Sequence, residues 1–142
     1  MSGPPVKIRD ATPADWDFMR PAWADTFRRG SLAVDGANES HYYAEMGRLF
    51  AAILPGASAR IACDPNDDDV RLGFACYTKT VLHYVYVLKT KELDFRREGV
   101  APMLLDALPI NAYSFSTLQF VKRIKPRDRG WQFRPRFTYS AS

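Results

Sequence analysis

The sequence contains few cysteines and histidines, and it has no long apolar run. Its 142 residues include two of each. Cys63 and Cys76 both fall in predicted strands without the spacing of a metal site, so we expect reduced core thiols and no bound metal. No apolar segment approaches the roughly 18–20 residues that a membrane-spanning helix needs. The N-terminal Met-Ser-Gly-Pro-Pro lacks the basic and apolar regions of a secretory signal. These absences predict a cytoplasmic protein with no membrane partner.

The remaining composition is that of an ordinary globular chain. Apolar residues make up 46% of the sequence and aromatic residues 13%. A chain of this length can bury a hydrophobic core, and it shows neither an internal repeat nor a linker long enough to separate domains. We therefore predict a single domain spanning residues 1–142.

Positive charge is concentrated near the C-terminus. The residues from Phe115 to Ser142 carry a net charge of +6, whereas the rest of the chain sums to −2. We expect this basic segment, taken as 117–142, to face an anionic partner or the acidic surface of another protein. Between Lys122 and Arg136 the basic residues are interleaved with aromatic residues, a pattern that nucleic-acid contacts also use. A solvated edge strand with its aromatic side chains turned inward is the simplest structural explanation.

Periodicity and capping signals predict the element order β-α-α-β-β-β-α-β-α-β. Thr12 and Pro13 mark a helix start, and Gly30 marks its end. Asp64–Asp69 should form an acidic turn between two alternating strands. The order predicts an α+β domain with helices on both faces of a mixed, mostly antiparallel sheet. The predicted strands are Val6–Arg9, Ala59–Cys63, Val70–Tyr77, Val81–Leu88, Ala112–Phe115 and Trp131–Arg134. The first predicted helix begins at Thr12, its N-cap, and the second runs from Asn38 or Glu39 to about Leu54. The third runs from about Pro102 to Leu108, and the last from Thr117 to Ile124.

One stretch carries the strongest functional signal. Val81–Leu88 is uncharged and rich in β-branched and aromatic residues, which predicts a strand buried on both faces. Phe95–Leu105 follows as a turn rich in arginine and glycine that opens into a helix. A strand, a glycine turn and a helix N-terminus form an arrangement that binds phosphate through unpaired backbone N–H groups.

The spacing Arg96-x-x-Gly99-x-Ala101 resembles the acyl-CoA pyrophosphate loop of the GNAT N-acetyltransferase superfamily. The opening segment from Ile8 to Trp16 also looks like the usual entry of that family, an Ile-Arg strand that runs into a Thr-Pro-x-Asp helix start. The predicted element order is similar to the GNAT order along nearly the whole chain. The chain resembles in particular the small GNAT-like proteins encoded by tailed phages, and the resemblance implies the GNAT-like α+β fold.

The resemblance also implies a chemistry, the transfer of an acetyl group from acetyl-CoA to an amine by direct attack. It implies His83 as the base that deprotonates the amine, with Tyr113 replacing the usual tyrosine acid, because the predicted last helix contains no tyrosine. Pro102, which has no N–H, and the acidic Glu98 depart from the family pattern. The implied cofactor-binding residues are Tyr86, Val87, Arg96, Arg97, Gly99, Val100 and Ala101.

Two other functions remain open on the sequence. The altered loop and the missing tyrosine fit a GNAT-fold protein that has lost catalysis and serves as a structural module in a phage virion or assembly. The basic segment from Lys122 to Arg136 fits a member that binds or modifies nucleic acid. The sequence does not name the amine acceptor.

Overall fold

A computed structural model describes residues 6–30, 39–88, 99–106, 108–114 and 124–134 of the chain. These residues form a six-stranded sheet with three α-helices. The strands are β1 (Lys7–Asp10), β2 (Ser58–Asp64), β3 (Asp67–Thr78), β4 (Val81–Val87), β5 (Ala112–Tyr113) and β6 (Gln132–Phe133). The helices are α1 (Trp16–Gly30), α2 (Glu39–Ile53) and α3 (Val100–Leu105).

The strands lie side by side in the order in which they occur along the chain. β1 to β4 form an antiparallel meander, whereas β5 and β6 each join in parallel. The pairing of β4 with β5 is short, since it joins only Val81 to Ala112 and Leu82 to Tyr113. The predicted α+β class with a mixed, mostly antiparallel sheet is confirmed. The helix predicted from Thr117 lies outside the described residues except for Ile124.

Helices cover both faces of the sheet, as the sequence predicts. The buried stripe of α1 consists of Met19, Trp23 and Phe27, and it packs with α2 against one face. The opposite face packs against α3 through Val100 and Leu104. We call these two clusters the α1/α2 core and the α3 core. In the described ranges, no helix combines the length and apolar character needed to cross a membrane.

A local sequence pattern starts the first helical segment. Pro13–Asp15 forms a 3₁₀ turn that leads directly into α1 at Trp16. The Asp15 carboxylate accepts hydrogen bonds from the backbone N–H of Thr12 at 2.6 Å and from its hydroxyl at 3.1 Å. This contact satisfies a backbone donor ahead of the helix, as the Thr-Pro-x-Asp pattern predicts.

The acidic turn between β2 and β3 is tighter than predicted. Only Pro65 and Asn66 form the turn, and Asp67–Asp69 belong to β3. Carboxylates are tolerated in this part of the strand because the side chains are exposed to solvent. The Asp67 side chain also accepts a hydrogen bond from the Asp69 N–H at 3.0 Å, which secures the backbone locally.

The third helix begins earlier and ends earlier than predicted. Gly99 is its N-cap residue, with a left-handed φ of 79°, so Pro102 lies in the first turn. A proline is accepted there because the N–H groups of the first turn have no partner within the helix. The helix cannot run to Leu108, since the residue before Pro109 disfavours helical geometry. Arg60 of β2 donates to the Asp106 carbonyl at 2.5 Å and caps the C-terminal end.

Candidate functional site

Strands β4 and β5 share only a short paired segment. The Ser114 N–H donates to the Leu82 carbonyl at 2.9 Å, and β5 ends at Tyr113, immediately before it. β4 continues to Val87. Along the described chain, the second half of β4 therefore has β3 on one side and no strand partner on the other. This open edge of β4 is the centre of the candidate site.

The open edge presents a backbone donor. The Leu88 N–H donates to the Leu72 carbonyl of β3 at 2.8 Å. Peptide groups alternate in direction along a strand, so the N–H of Val87 points away from β3 and toward the open edge. The Val87 side chain itself is buried in the α3 core. A ligand along this edge could therefore receive a hydrogen bond from the main chain.

A β-bulge lies in β4 at His83. Cys76 of β3 is opposite Tyr84, and the next β3 residue, Tyr77, is opposite Leu82, so His83 is the extra residue of β4 in this register. A bulge increases the local twist of a strand and redirects its side chains. The bulge follows Leu82, which pairs with the last residue of β5, and it precedes the open edge of β4 along the chain.

The His83 side chain is buried between two hydroxyl groups. Its Nε2 atom lies 2.8 Å from the Thr78 hydroxyl, and its Nδ1 atom lies 2.7 Å from the Ser114 hydroxyl. The residue is only 1% exposed. In a neutral imidazole one nitrogen donates and the other accepts, and a hydroxyl can serve either role. The arrangement connects β4 to the end of β5 and fixes the orientation of the ring.

An aromatic wall from α1 lines the α1/α2 side of β4. The rings of Trp23 and Tyr84 stack with centroids 5.2 Å apart, and the hydroxyls of Thr26 and Tyr84 lie 2.7 Å apart. Burial raises the pKa of the Tyr84 phenol, so this hydroxyl stays protonated. Nearer the end of the strand, Phe18 meets the half-buried Tyr86 edge-on at 6.1 Å. Tyr86 is thus the aromatic side chain of the wall that borders the open part of β4.

Gly73 allows β3 and β4 to approach closely beside this wall. A Cβ atom at Gly73 would lie 2.5 Å from the Tyr86 carbonyl oxygen and 3.5 Å from Leu104 Cδ1. Real Cβ atoms essentially never approach another atom to 2.5 Å. A side chain here would push β4 away from β3 and shift the peptide groups of the candidate site.

The N-terminus of α3 brings a second group of backbone donors to the α3 face of the sheet. Gly99 adopts a left-handed conformation, which glycine accepts without strain, and no atom lies within 4 Å of the position its Cβ would occupy. The N–H groups of Val100 and Ala101 belong to the first helical turn, which has no acceptors for them within the helix. Pro102 contributes no donor.

A buried carboxylate fixes the start of α1 to the sheet. Asp15 is fully buried and forms two hydrogen bonds with Arg9 of β1, at 2.8 and 2.9 Å. It also accepts from Arg71 Nε of β3 at 2.6 Å. The Arg9 hydrogen bonds are the largest cause that holds the pKa of Asp15 well below its ordinary range, and Thr12 and Arg71 act in the same direction. The network fixes the end of α1 from which the aromatic wall extends.

The structure brings together only some of the residues implied by the resemblance. Tyr86, Val87 and His83 all lie on β4 at or beyond the bulge. Tyr113 is buried in the α3 core and stacks on Phe133, with centroids 5.1 Å apart. Gly99, Val100 and Ala101 form the start of α3. Arg96 and Arg97 lie outside the described residues, and the catalytic and binding roles of the whole set stay predictions.

Several residues of the site could not be found from the sequence. Thr78 contacts His83 from the end of β3 and Ser114 contacts it from the position just after β5, and no sequence motif marks either of them. Thr26 is a half-buried residue of α1 that no sequence motif marks, and its role depends on the register that places Tyr84 of β4 beside it. Cys76 is not a candidate nucleophile, because burial raises the pKa of its thiol to about 12. Within the described part of the chain, no group of three or more histidine, cysteine or acidic residues could hold a metal ion.

Comparison with solved structures identifies the architecture. A proposed acetyl transferase from Pyrococcus furiosus superimposes with a TM-score of 0.54 and 14% identity, over 95% of this chain and 84% of that chain. A possible acetyltransferase from Clostridium difficile 630 gives a TM-score of 0.52 and 12% identity, over 98% of both chains. The chain has the GNAT fold.

Other solved structures match with lower TM-scores. A GCN5-related N-acetyltransferase from Rhodopseudomonas palustris gives a TM-score of 0.48 at 19% identity, over 76% of this chain. This chain spans 66% of the length of that protein. No protein-family model and no curated protein matches the sequence. The GNAT fold agrees with the resemblance in the sequence, whereas a phage origin gains no support.

Proposed function

We propose that this protein is an acyl-CoA-dependent N-acyltransferase that transfers an acetyl group to an amine. The observation that carries the proposal is that, among the residues the structure describes, β4 continues past its short pairing with β5, so the Val87 N–H faces a side of β4 that has no strand partner. A peptide N–H held rigidly in a sheet is a suitable donor to a carbonyl oxygen that gains negative charge during acyl transfer. The GNAT fold of the chain supports this function.

In this proposal a CoA thioester would contact the described residues in two places. The Val87 N–H, with the Tyr86 side chain beside it, would hold the acyl end, and the N–H groups of Gly99, Val100 and Ala101 would face the pyrophosphate. Arg96 and Arg97 complete the proposed binding set. Bound acetyl-CoA would supply an activated acyl group whose thiolate is a good leaving group. The chain would contribute positioning and hydrogen-bond donors, which can account for much of the acceleration in such a reaction.

His83 and Tyr113 keep their proposed roles in proton transfer. His83 is enclosed by Thr78 and Ser114, so we propose that a proton from the amine reaches the imidazole through one of these hydroxyls rather than directly. Tyr113 would protonate the leaving thiolate. The acceptor amine would approach along the aromatic wall, where Tyr86 is half-buried.

Thermal stability in the presence of CoA tests the proposal. Acetyl-CoA at a hundred times its Kd should stabilise the protein by about 2.7 kcal/mol, because it binds only the folded state. Gly99→Asn and Gly99→Asp are a matched pair, since both residues tolerate the left-handed backbone conformation and their side chains differ mainly in charge. The Asn variant should keep most of the ligand-induced shift in Tm, and the Asp variant should lose it.

Turnover is measured separately, as thiol released from acetyl-CoA in the presence of a panel of primary amines. Binding without turnover by any amine would leave a CoA-binding protein and would remove catalysis from the proposal. No shift in Tm at millimolar CoA would reject the proposed function altogether.

A further inference from the structure

The last strand and the turn before it form a surface that is both basic and aromatic. We propose that this surface, made by Lys125, Arg127, Arg129, Trp131, Phe133 and Arg134, binds single-stranded nucleic acid. The proposal concerns a different part of the sheet from the open edge of β4, and it does not depend on acyl transfer.

Phe133 is the first observation. It is 51% exposed, which is more than any other large hydrophobic side chain in the described ranges. The ring is nevertheless held in place, since it stacks on the buried Tyr113 with an angle of 29° between the ring planes. An aromatic ring that is positioned by such a contact and has an exposed surface can stack with an unpaired base. A base inside a duplex cannot offer its face in this way, so the geometry favours a single strand.

The distribution of charge is the second observation. Residues 124–134 contain four basic side chains and a single acidic one, Asp128, for a net charge of +3. All four basic residues are exposed. The guanidinium of Arg129 lies 5.3 Å from the centre of the Trp131 ring, which keeps a cation next to the aromatic surface. A single strand of nucleic acid combines the two matching features, since its phosphates are negatively charged and its bases can stack on aromatic rings.

The turn that carries these cations is already ordered by its own backbone. The N–H groups of Asp128, Arg129 and Gly130 donate to the carbonyls three residues earlier, at 3.0, 3.1 and 3.0 Å. The Trp131 N–H then donates to the Pro126 carbonyl at 3.0 Å. A surface that is ordered before binding loses less conformational entropy when the ligand arrives.

The same edge is poorly suited to an acidic peptide. A peptide that adds to a sheet edge gains its affinity from a row of main-chain hydrogen bonds. β6 is only two residues long, so it can offer few such bonds. Stacking and phosphate pairing need no long strand. The chemistry therefore favours nucleic acid over a protein ligand.

Fluorescence anisotropy with a 15-nucleotide oligothymidine, and in parallel with oligouridine, tests the proposal on the full chain. Phe133→Ala should weaken binding roughly tenfold, because stacking of one base contributes about 1–3 kcal/mol. Phe133→Leu should be weakened similarly, since it keeps apolar area but has no π-face, whereas Phe133→Trp should bind like the wild type. Tyr43→Ala removes another exposed aromatic side chain, on α2, and should change nothing.

Salt dependence tests the electrostatic part. Four phosphate contacts would give a slope of about −2.8 for log K against log salt concentration, and Arg134→Ala should reduce its magnitude by about 0.7. Phe133→Ala should leave the slope unchanged. Undetectable binding to both oligonucleotides would overturn the proposal, as would equal affinity for a duplex of the same length. Wild-type affinity of either Phe133→Ala or Phe133→Leu would also overturn it, because stacking would then contribute nothing.

Discussion

Replacing Asp15 with asparagine should destabilise the fold strongly, although the change is nearly isosteric. The carboxylate is fully buried and accepts hydrogen bonds from Arg9, Arg71 and Thr12. Asparagine would leave two guanidinium groups facing each other without the charge that balances them. Asp15→Asn therefore separates the electrostatic role of this residue from its shape.

The size of the effect follows from burial. Removing one partner of a buried ion pair costs about 3–5 kcal/mol. The Arg9 and Arg71 side chains are 19% and 20% exposed, so water can partly solvate them after the change. We therefore expect the lower end of the range, a loss of about 3 kcal/mol. At about 3 °C per kcal/mol for a chain of this size, Tm should fall by roughly 10 °C.

The sign of the pH dependence is also fixed by the structure. The pKa of Asp15 is lowered in the folded state, so its stabilising contribution is complete above the unfolded-state value of about 3.9 and is lost as the pH falls below that value. Urea unfolding of wild type and Asp15→Asn between pH 7 and pH 3 measures both quantities. The difference in unfolding free energy should be largest near neutral pH and should shrink in acid.

The matched control is Asp68→Asn, which removes an exposed carboxylate that pairs with Lys7. This variant should melt close to the wild type, because exposed ion pairs contribute little. An Asp15→Asn variant that is as stable as the wild type, or a difference that does not change with pH, would show that the buried charge of Asp15 does not stabilise the fold.

Two further substitutions test the geometry around β4. Gly73→Ala should lower the unfolding free energy by about 1–3 kcal/mol, because its Cβ would meet the Tyr86 carbonyl. Gly47→Ala in α2 is the control, since its Cβ would meet no atom within 4 Å and the change should not destabilise the protein. Equal stability of the two variants would contradict the close approach of β3 and β4. His83→Ala should cost about 2–4 kcal/mol in urea unfolding, because it leaves the Thr78 and Ser114 hydroxyls without the imidazole and opens a cavity. A fully stable His83→Ala variant would show that the imidazole does not connect β4 to β5.

The sequence predicts best the features that depend on neighbouring residues. The Thr12-Pro13-x-Asp15 pattern marks the start of the first helical segment, because capping involves residues three positions apart. The helical spacing of Met19 and Trp23 gives the buried stripe of α1 in the same way. In both cases the physical cause lies within a few residues of its effect.

The features that depend on distant pairing were not predictable. Arg71 reaches Asp15 across 56 residues of sequence, and Ser114 reaches His83 across 31. The bulge at His83 exists only relative to the register with β3, so the composition of β4 does not reveal it. The start of α3 was misplaced because Pro102 is compatible with more than one position in the first turn.

We propose that the open edge of β4 and the start of α3 together bind a CoA thioester. The most direct test is a titration of the ¹⁵N-labelled protein with CoA and acetyl-CoA, followed through the backbone amide resonances. The amides of Val87, Gly99, Val100 and Ala101 should shift together with a single Kd, and Gly99→Asp should abolish the shifts. If these amides stay unchanged at millimolar ligand, or if the shifts map to another part of the sheet, the claim is wrong.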